Sequence, residues 1–293
     1  MNLPRSLVRA LVRRTVKPVL GTRLQPPRQR TIIDALTRVA VLPTGTTREP
    51  VALGGVPAER ITTPASRHGH ALLYLHGGGY TVGSRVTHRA VTAHLADSLG
   101  AEAHLLDYRL APEHPCPAAI DDAAAAYRAL LDSGLTPHDI VVAGDSAGGG
   151  LALALAIRAR DEGLPPPGAL GLISPWVDLG LTGLDETVDD PLLTRAWLER
   201  CAAQYAGADR RRPEASPLFA DLRDLPPLVV QAASDEIIRD DVERLVDAAQ
   251  AAGVTVSYEL LDGHWHVSHL FAGLMREATE AVGSLAAGLR AAT

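Results

Sequence analysis

The chain has 293 residues, 46% apolar and 21% charged, with a formal net charge of −6. This is the composition of a globular protein long enough to bury a substantial core, and its sign gives no reason to expect a nucleic-acid partner. Cys116 and Cys201 stand apart from each other and from any ligand-spaced histidine, so neither a disulfide framework nor a metal site is expected.

In chain order, Met1 to Leu20 comes first. Arg5, Arg9, Arg13, Arg14 and Lys17 interrupt it, so it lacks the apolar centre of a signal peptide, and a cytoplasmic location is expected. No run in the chain approaches the ~18 apolar residues of a membrane span. Leu7, Val8, Leu11, Val12 and Val16 share one helical face, and two uses compete for it. The expectation is a helix packed over the protein's own functional site; the alternative is a helix lying on a membrane surface. Pro18 and the Pro26-Pro27 pair are expected to end it.

Val51 to Leu53 and Glu59 to Ile61 read as antiparallel edge strands. From Ala71 onward strands and helices alternate. Strands are expected at 71–75, 103–107, 140–144, 169–173, 228–232 and 256–260, and helices near 85–99, 117–133, 147–162, 190–205, 239–252 and 267–290. Such alternation implies an α/β fold with a mostly parallel central sheet covered by helices on both faces. The interval between Ile173 and Leu228 is longer than a crossover needs. Residues 177–217 therefore read as an insertion that, with residues 1–45, forms a helical lid on a catalytic domain spanning 46–293.

Two segments carry the chemistry. Gly144-Asp145-Ser146-Ala147-Gly148-Gly149 follows the apolar run Ile140 to Ala143 and precedes a helix, so Ser146 sits on a strand-to-helix turn. A plain helix start would avoid Gly148, Gly149 and Gly150, which forgo about 2–3 kcal/mol of helix propensity. Upstream, His76-Gly77-Gly78-Gly79 follows the strand-like Ala71 to Leu75, and three glycines allow a backbone path closed to other residues. The N–H groups of Gly78, Gly79 and Ala147 can then form an oxyanion hole. A phosphate loop is the competing idea, but the chain has neither Gly-x-Gly-x-x-Gly nor Gly-Lys-Ser/Thr. An activated serine facing an oxyanion hole is the equipment of ester hydrolysis.

A serine nucleophile needs a histidine base and an orienting acid, which in this architecture follow in the order serine, acid, histidine. Asp235, just past the strand at 228–232, is the expected acid, with Glu236 as the adjacent alternative. Asp240 and Asp241 fall in the next helix and read as solvated. His264 and His266 both follow the strand at 256–260 and compete for the role of base. A metal pair made of these two lacks further ligands.

These residues resemble the bacterial hormone-sensitive-lipase-like (family IV) esterases of the α/β-hydrolase fold. The resemblance runs over residues 71–270 and rests on His76-Gly77-Gly78-Gly79, the segment Asp107 to Pro115, Gly144 to Gly149, Ser234-Asp235-Glu236 and Gly263-His264-Trp265-His266-Val267. It implies His266 as the base, three positions after the glycine, and Asp235 as the acid. It also implies a lid and hydrolysis of short to medium acyl esters without a cofactor. Tyr80, Trp176 and Val267 are expected to line the substrate pocket. Cys116, His264 and Ser268 depart from the family's usual residues, and Arg109 and Glu113 are expected to tie their loop together by buried ion pairing. The expected partner is a small ester or lactone, with no nucleic acid and no stable membrane span, and a homodimer is left open. Lactone hydrolysis and deacetylation are alternatives on the same triad, and a peptidase is a further alternative on the same fold. A non-catalytic small-molecule receptor is the different-class alternative, set against the presence of His266.

Overall fold

The computed structural model describes residues 2–38 and 40–293; Met1 and Val39, both inside the segment expected as a lid, lie outside the described residues. Eight strands form one sheet: β1 (Thr47–Leu53), β2 (Val56–Thr62), β3 (Ala71–Leu75), β4 (Glu102–Leu106), β5 (Ile140–Asp145), β6 (Ala169–Ile173), β7 (Leu228–Asp235) and β8 (Val256–Trp265). Their order is β1-β2-β4-β3-β5-β6-β7-β8, parallel from β4 to β8 and antiparallel where β2 meets β1 and β4. Every residue of β3, β5 and β6 is buried, which is why these strands read as apolar runs, broken only by Asp145 at the end of β5. The β1–β2 hairpin turns on Gly54 and Gly55, with φ of 60° and 83°, as a two-residue turn of the right twist requires.

Eight α-helices accompany the strands among the described residues: α1 (Arg5–Thr15), α2 (Pro26–Thr37), α3 (Arg85–Leu99), α4 (Ala118–Asp132), α5 (Ala147–Asp161), α6 (Arg195–Ala206), α7 (Arg239–Ala251) and α8 (Arg276–Ala292). Helix α3 packs with α8 and α4 with α5, so the sheet is covered on both faces. Local chemistry sets the ends of α3. Ser84 accepts from Val86 N–H while Thr87 Oγ1 returns a bond to Ser84 N–H, and Gly100 closes the helix at φ 67°.

Strands β1, β2, β7 and β8 run longer than the sequence reading expected, so that Asp235 ends β7 and His264 lies within β8, and three helix boundaries also differ. Pro26-Pro27 starts α2 instead of ending the first helix, because a proline in the first turn gives up an N–H that has no partner there. Helix α6 begins at Arg195 rather than 190, since the Asp190 carboxylate takes the N–H groups of Leu192 and Leu193 in a separate turn and Thr194 then caps the helix. The expected helix from 267 is instead a single turn, Ser268–Phe271, followed by α8 from Arg276.

Helices α1 and α2 are fastened to the body by charge. Arg9 pairs with Asp235, Arg13 with Asp189, and Arg30 with Glu113 while also donating to the carbonyls of Thr81 and Ala111. Glu113 thus anchors α2, and Arg109 pairs with Asp122 on α4; both form ion pairs, but with partners outside their loop and with their own side chains half-exposed rather than buried. No helix among the described residues is long and apolar enough to cross a membrane.

Candidate active site

Ser146 joins β5 to α5 with φ 52° and ψ −122°, a strained conformation for a residue with a side chain. The surroundings hold it there. Its N–H donates to Ile173 O at 2.8 Å, and its carbonyl accepts from Trp176 N–H at 2.8 Å and Gly150 N–H at 3.0 Å. The flanking glycines answer to close approach. A Cβ on Gly148 would lie 2.0 Å from Leu75 O, and one on Gly144 would lie 2.3 Å from Gly148 O.

His266 follows β8 and points its Nε2 at Ser146 Oγ, 2.9 Å away. Its Nδ1 faces Glu236 Oε2 at 2.7 Å, and Glu236 Oε1 accepts from Ala233 N–H at 2.9 Å. The acid on this histidine is therefore Glu236 and not Asp235. Successive side chains at the end of a strand point to opposite sides, so only one of two adjacent acids can reach the imidazole. Asp235 turns the other way, toward Arg9 at 2.6 Å and Ser234 Oγ at 2.8 Å. Because β7 is buried along most of its length, no alternation in the sequence separates the two.

Burial opposes a charge on His266. The hydrogen bond and charge of Glu236, with Asp190 and Asp145 beyond, outweigh it and hold the imidazole above its ordinary value. His264, the competing histidine, is bound elsewhere: its Nδ1 lies 2.7 Å from Ser268 Oγ. The two departures from the family pattern thus satisfy each other.

The glycine loop is fixed through its carbonyls. His76 O accepts from Tyr108 OH at 2.6 Å, Gly77 O from His76 Nδ1 at 2.8 Å, and Gly78 O from the N–H groups of Thr81 and Val82 at 3.1 and 2.9 Å. In a trans peptide the C=O and the following N–H point oppositely. Pinning the carbonyls of Gly77 and Gly78 on one side therefore aims the N–H groups of Gly78 and Gly79 to the other, and neither donates to any described residue. Ala147 opens α5, so its N–H has no partner within the helix. Burial and the neighbouring His88 push His76 down to about 4, so its ring stays neutral near pH 7. Sequence reasoning found no part for Tyr108; its ring stacks on His76 at 4.3 Å and its hydroxyl holds the loop.

Beneath the loop, Asp145 is fully buried. It accepts from Tyr74 OH at 3.0 Å and Gly77 N–H at 3.1 Å, with His88 Nε2 at 3.2 Å. Burial would raise this carboxyl, but the charge and hydrogen bond of His88, with that of Tyr74, outweigh it and keep the group below the usual range. His88 is thus part of the support beneath the loop.

A cavity of about 320 Å³ opens above Ser146 and His266. Leu11, Val12, Val16 and Leu20 wall it on one side, Ile33 and Leu36 of α2 on another, and Leu192 and Leu193 with Trp197 of α6 on a third. Val267 lies on it, as expected; Tyr80 and Trp176 do not. Tyr80 stacks face to face on Tyr205 at 3.7 Å, and Trp176 is fully buried with its Nε1–H on Asp178 O. Both aromatic rings are spent on packing beneath the loops. No group of three or more potential metal ligands occurs among the described residues.

Residues 72–270 match a family model described as the alpha/beta hydrolase fold. The chain is 39% identical over 293 residues to the putative acetyl-hydrolase LipR of Mycobacterium tuberculosis, covering 99% of this chain and 95% of that protein. It is 44% identical over 247 residues to an acetyl-hydrolase of Streptomyces hygroscopicus, covering 83% and 82%. Among solved structures, an esterase from the bacterial hormone-sensitive lipase family superposes with a TM-score of 0.92 at 38% identity, covering 99% of each chain.

Proposed function

The chain belongs to the hormone-sensitive-lipase-like esterases of the alpha/beta hydrolase family and is a carboxylic ester hydrolase, and from that premise we propose that it works through Ser146, His266 and Glu236. The observation that carries this assignment is the continuous relay from Ser146 Oγ through His266 to Glu236, at 2.9 and 2.7 Å.

Ser146 attacks the ester carbonyl while His266 Nε2 takes its proton, and Glu236 holds the tautomer that leaves Nε2 free to accept it. The oxyanion that develops is met by the N–H groups of Gly78, Gly79 and Ala147, already oriented before substrate arrives. His266 then protonates the departing alcohol, and water repeats the sequence on the acyl-enzyme. Helices α1 and α2 and the loop bearing Leu192 and Leu193 act as the lid, supplying apolar wall and excluding water.

The substrates are esters of short to medium acyl chains, since the cavity falls at the small end of the ~300–1,000 Å³ range of ligand pockets yet exceeds the needs of an acetyl group. Deacetylation is the second reading, favoured by the two relatives named acetyl-hydrolases. Turnover of p-nitrophenyl esters from acetyl to dodecanoyl, with and without a serine-directed phosphonate, tests both. A maximum at butyryl to octanoyl, abolished by the phosphonate, is expected. A maximum confined to acetyl selects deacetylation, and turnover insensitive to the phosphonate defeats the serine mechanism.

A further inference from the structure

Charge is segregated along this chain. Residues 1–33 hold eight basic side chains and no acidic one, whereas the other 260 residues hold 20 basic and 34 acidic, a formal −14. Part of the basic set is committed to the rest of the chain. Arg5, Arg9, Arg13 and Lys17, spaced four apart, reach Asp262 O, Asp235, Asp189 and Asp190 O, and Arg30 reaches Glu113. The rest is uncommitted: Arg14, Arg23, Arg28 and, just past α2, Arg38 are exposed and form no ion pair or side-chain hydrogen bond with any described residue.

The same two helices carry three of the five exposed large hydrophobic residues among the described ones, Leu7 at 55%, Leu11 at 53% and Leu36 at 48%. On α1, Leu7, Ala10, Leu11 and Arg14 fall at i, i+3, i+4 and i+7 and are all exposed, forming one outward stripe. Leu11 and Leu36 also line the cavity, so these two leucines stand at its mouth, while Leu7 lies outside it. Helix α1 therefore has a double use: its inner face walls the cavity, and its outer face is an arginine–leucine surface without a carboxylate.

We infer that the outer surface of α1 and α2 docks on an anionic lipid bilayer and presents the cavity mouth to it. Only a surface that is negative at the headgroups and apolar just beneath satisfies both residue types at once. Arginine stems lie along the apolar boundary with their guanidinium groups at phosphate level, and the leucines enter between them. Apolar esters dissolved in the bilayer then reach the site without crossing water. Docking does not depend on the assigned catalytic residues, so it is measured on the Ser146→Ala variant as well as on the unaltered chain.

The experiment is flotation of the full chain with vesicles of phosphatidylcholine alone and of equal phosphatidylcholine and phosphatidylglycerol, at roughly 50 mM and 500 mM salt, where screening differs severalfold. Binding is expected only with phosphatidylglycerol and is expected to fall at high salt. Arg14→Gln and Arg38→Gln should each lower partitioning by about fivefold and Leu7→Gln by a similar factor, while turnover of a soluble acetyl ester is unchanged. Leu260→Gln, at a leucine of β8 that is also exposed, should leave binding unaltered. Absence of binding, equal binding to both vesicle types, or binding indifferent to Leu7→Gln and Arg14→Gln would overturn the inference. So would a stable dimer that Leu7→Gln dissociates, because a second copy would then cover this surface.

Discussion

Replacing Glu236 by glutamine separates the geometric assignment of the acid from the sequence-based one. Both carboxylate oxygens are in use: Oε1 accepts from Ala233 N–H at 2.9 Å and Oε2 faces His266 Nδ1 at 2.7 Å. In the variant the single oxygen stays with Ala233 N–H, because turning the amide toward that donor would leave two buried donors opposed, at about 1–3 kcal/mol. The NH2 group then meets Nδ1 and donates to it. The imidazole is driven to carry its proton on Nε2, where it can no longer accept from Ser146. A wrong tautomer in intact geometry costs about 10⁴-fold in kcat, or about 5 kcal/mol at roughly 1.4 kcal/mol per decade. Asp235→Asn makes the contrast. It loses only a partly exposed pair with Arg9, of which 35% and 24% of the side chains are exposed, worth no more than about 1 kcal/mol after solvent screening. Its kcat on p-nitrophenyl butyrate should stay within about threefold of the unaltered chain. Steady-state kinetics on both variants, with circular dichroism to establish folding, decide the matter. A Glu236→Gln enzyme within tenfold of full activity, or an Asp235→Asn enzyme with the larger loss, would refute the reasoning.

Ser146→Ala should lower kcat by something approaching ~10⁶-fold, and His266→Ala by a comparable factor; retention of more than a few per cent in a clean preparation contradicts the assignment. His264→Ala should change kcat by less than about tenfold while lowering the melting temperature, since it leaves Ser268 Oγ without its partner. Because His266 must be neutral to accept a proton and is held above the ordinary imidazole value, the acid limb of kcat/KM should inflect above about 6.5. The same raised pKa gives stability that is complete below the unfolded-state value and lost as pH rises through the folded one, so activity grows while this increment of stability falls. A flat kcat/KM between pH 5 and 8 would exclude an imidazole base. Deleting residues 1–40 removes the cavity wall from Leu11 to Ala40 and should depress turnover most on longer acyl chains; unchanged kcat/KM across the ester panel would show that the segment is no lid.

The periodic features of the fold were legible in the sequence because each depends on neighbours in the chain. Strands β3, β5 and β6 are buried on both faces and so appear as apolar runs, with Asp145 alone charged at the end of β5, and Ser146 lies between that strand and a helix. Glycine at 144 and 148 follows from contacts closer than a Cβ allows, which any chain turning this way must meet. The choice between Asp235 and Glu236 was of another kind. Two adjacent acids have nearly the same composition and spacing, and which one meets His266 depends on the direction each side chain takes at the end of β7. The pocket was equally a matter of distant contacts. Tyr80 and Trp176 flank the motifs in sequence but pack beneath them, while Leu11, Ile33 and Leu36 reach the cavity because ion pairs between residues far apart, such as Arg9 with Asp235 and Arg30 with Glu113, draw α1 and α2 over it. Sequence by itself determined which backbone turns could form and which side chains could react. Only the tertiary structure decided which of them meet, because that depends on side-chain direction and on charges brought together from opposite ends of the chain.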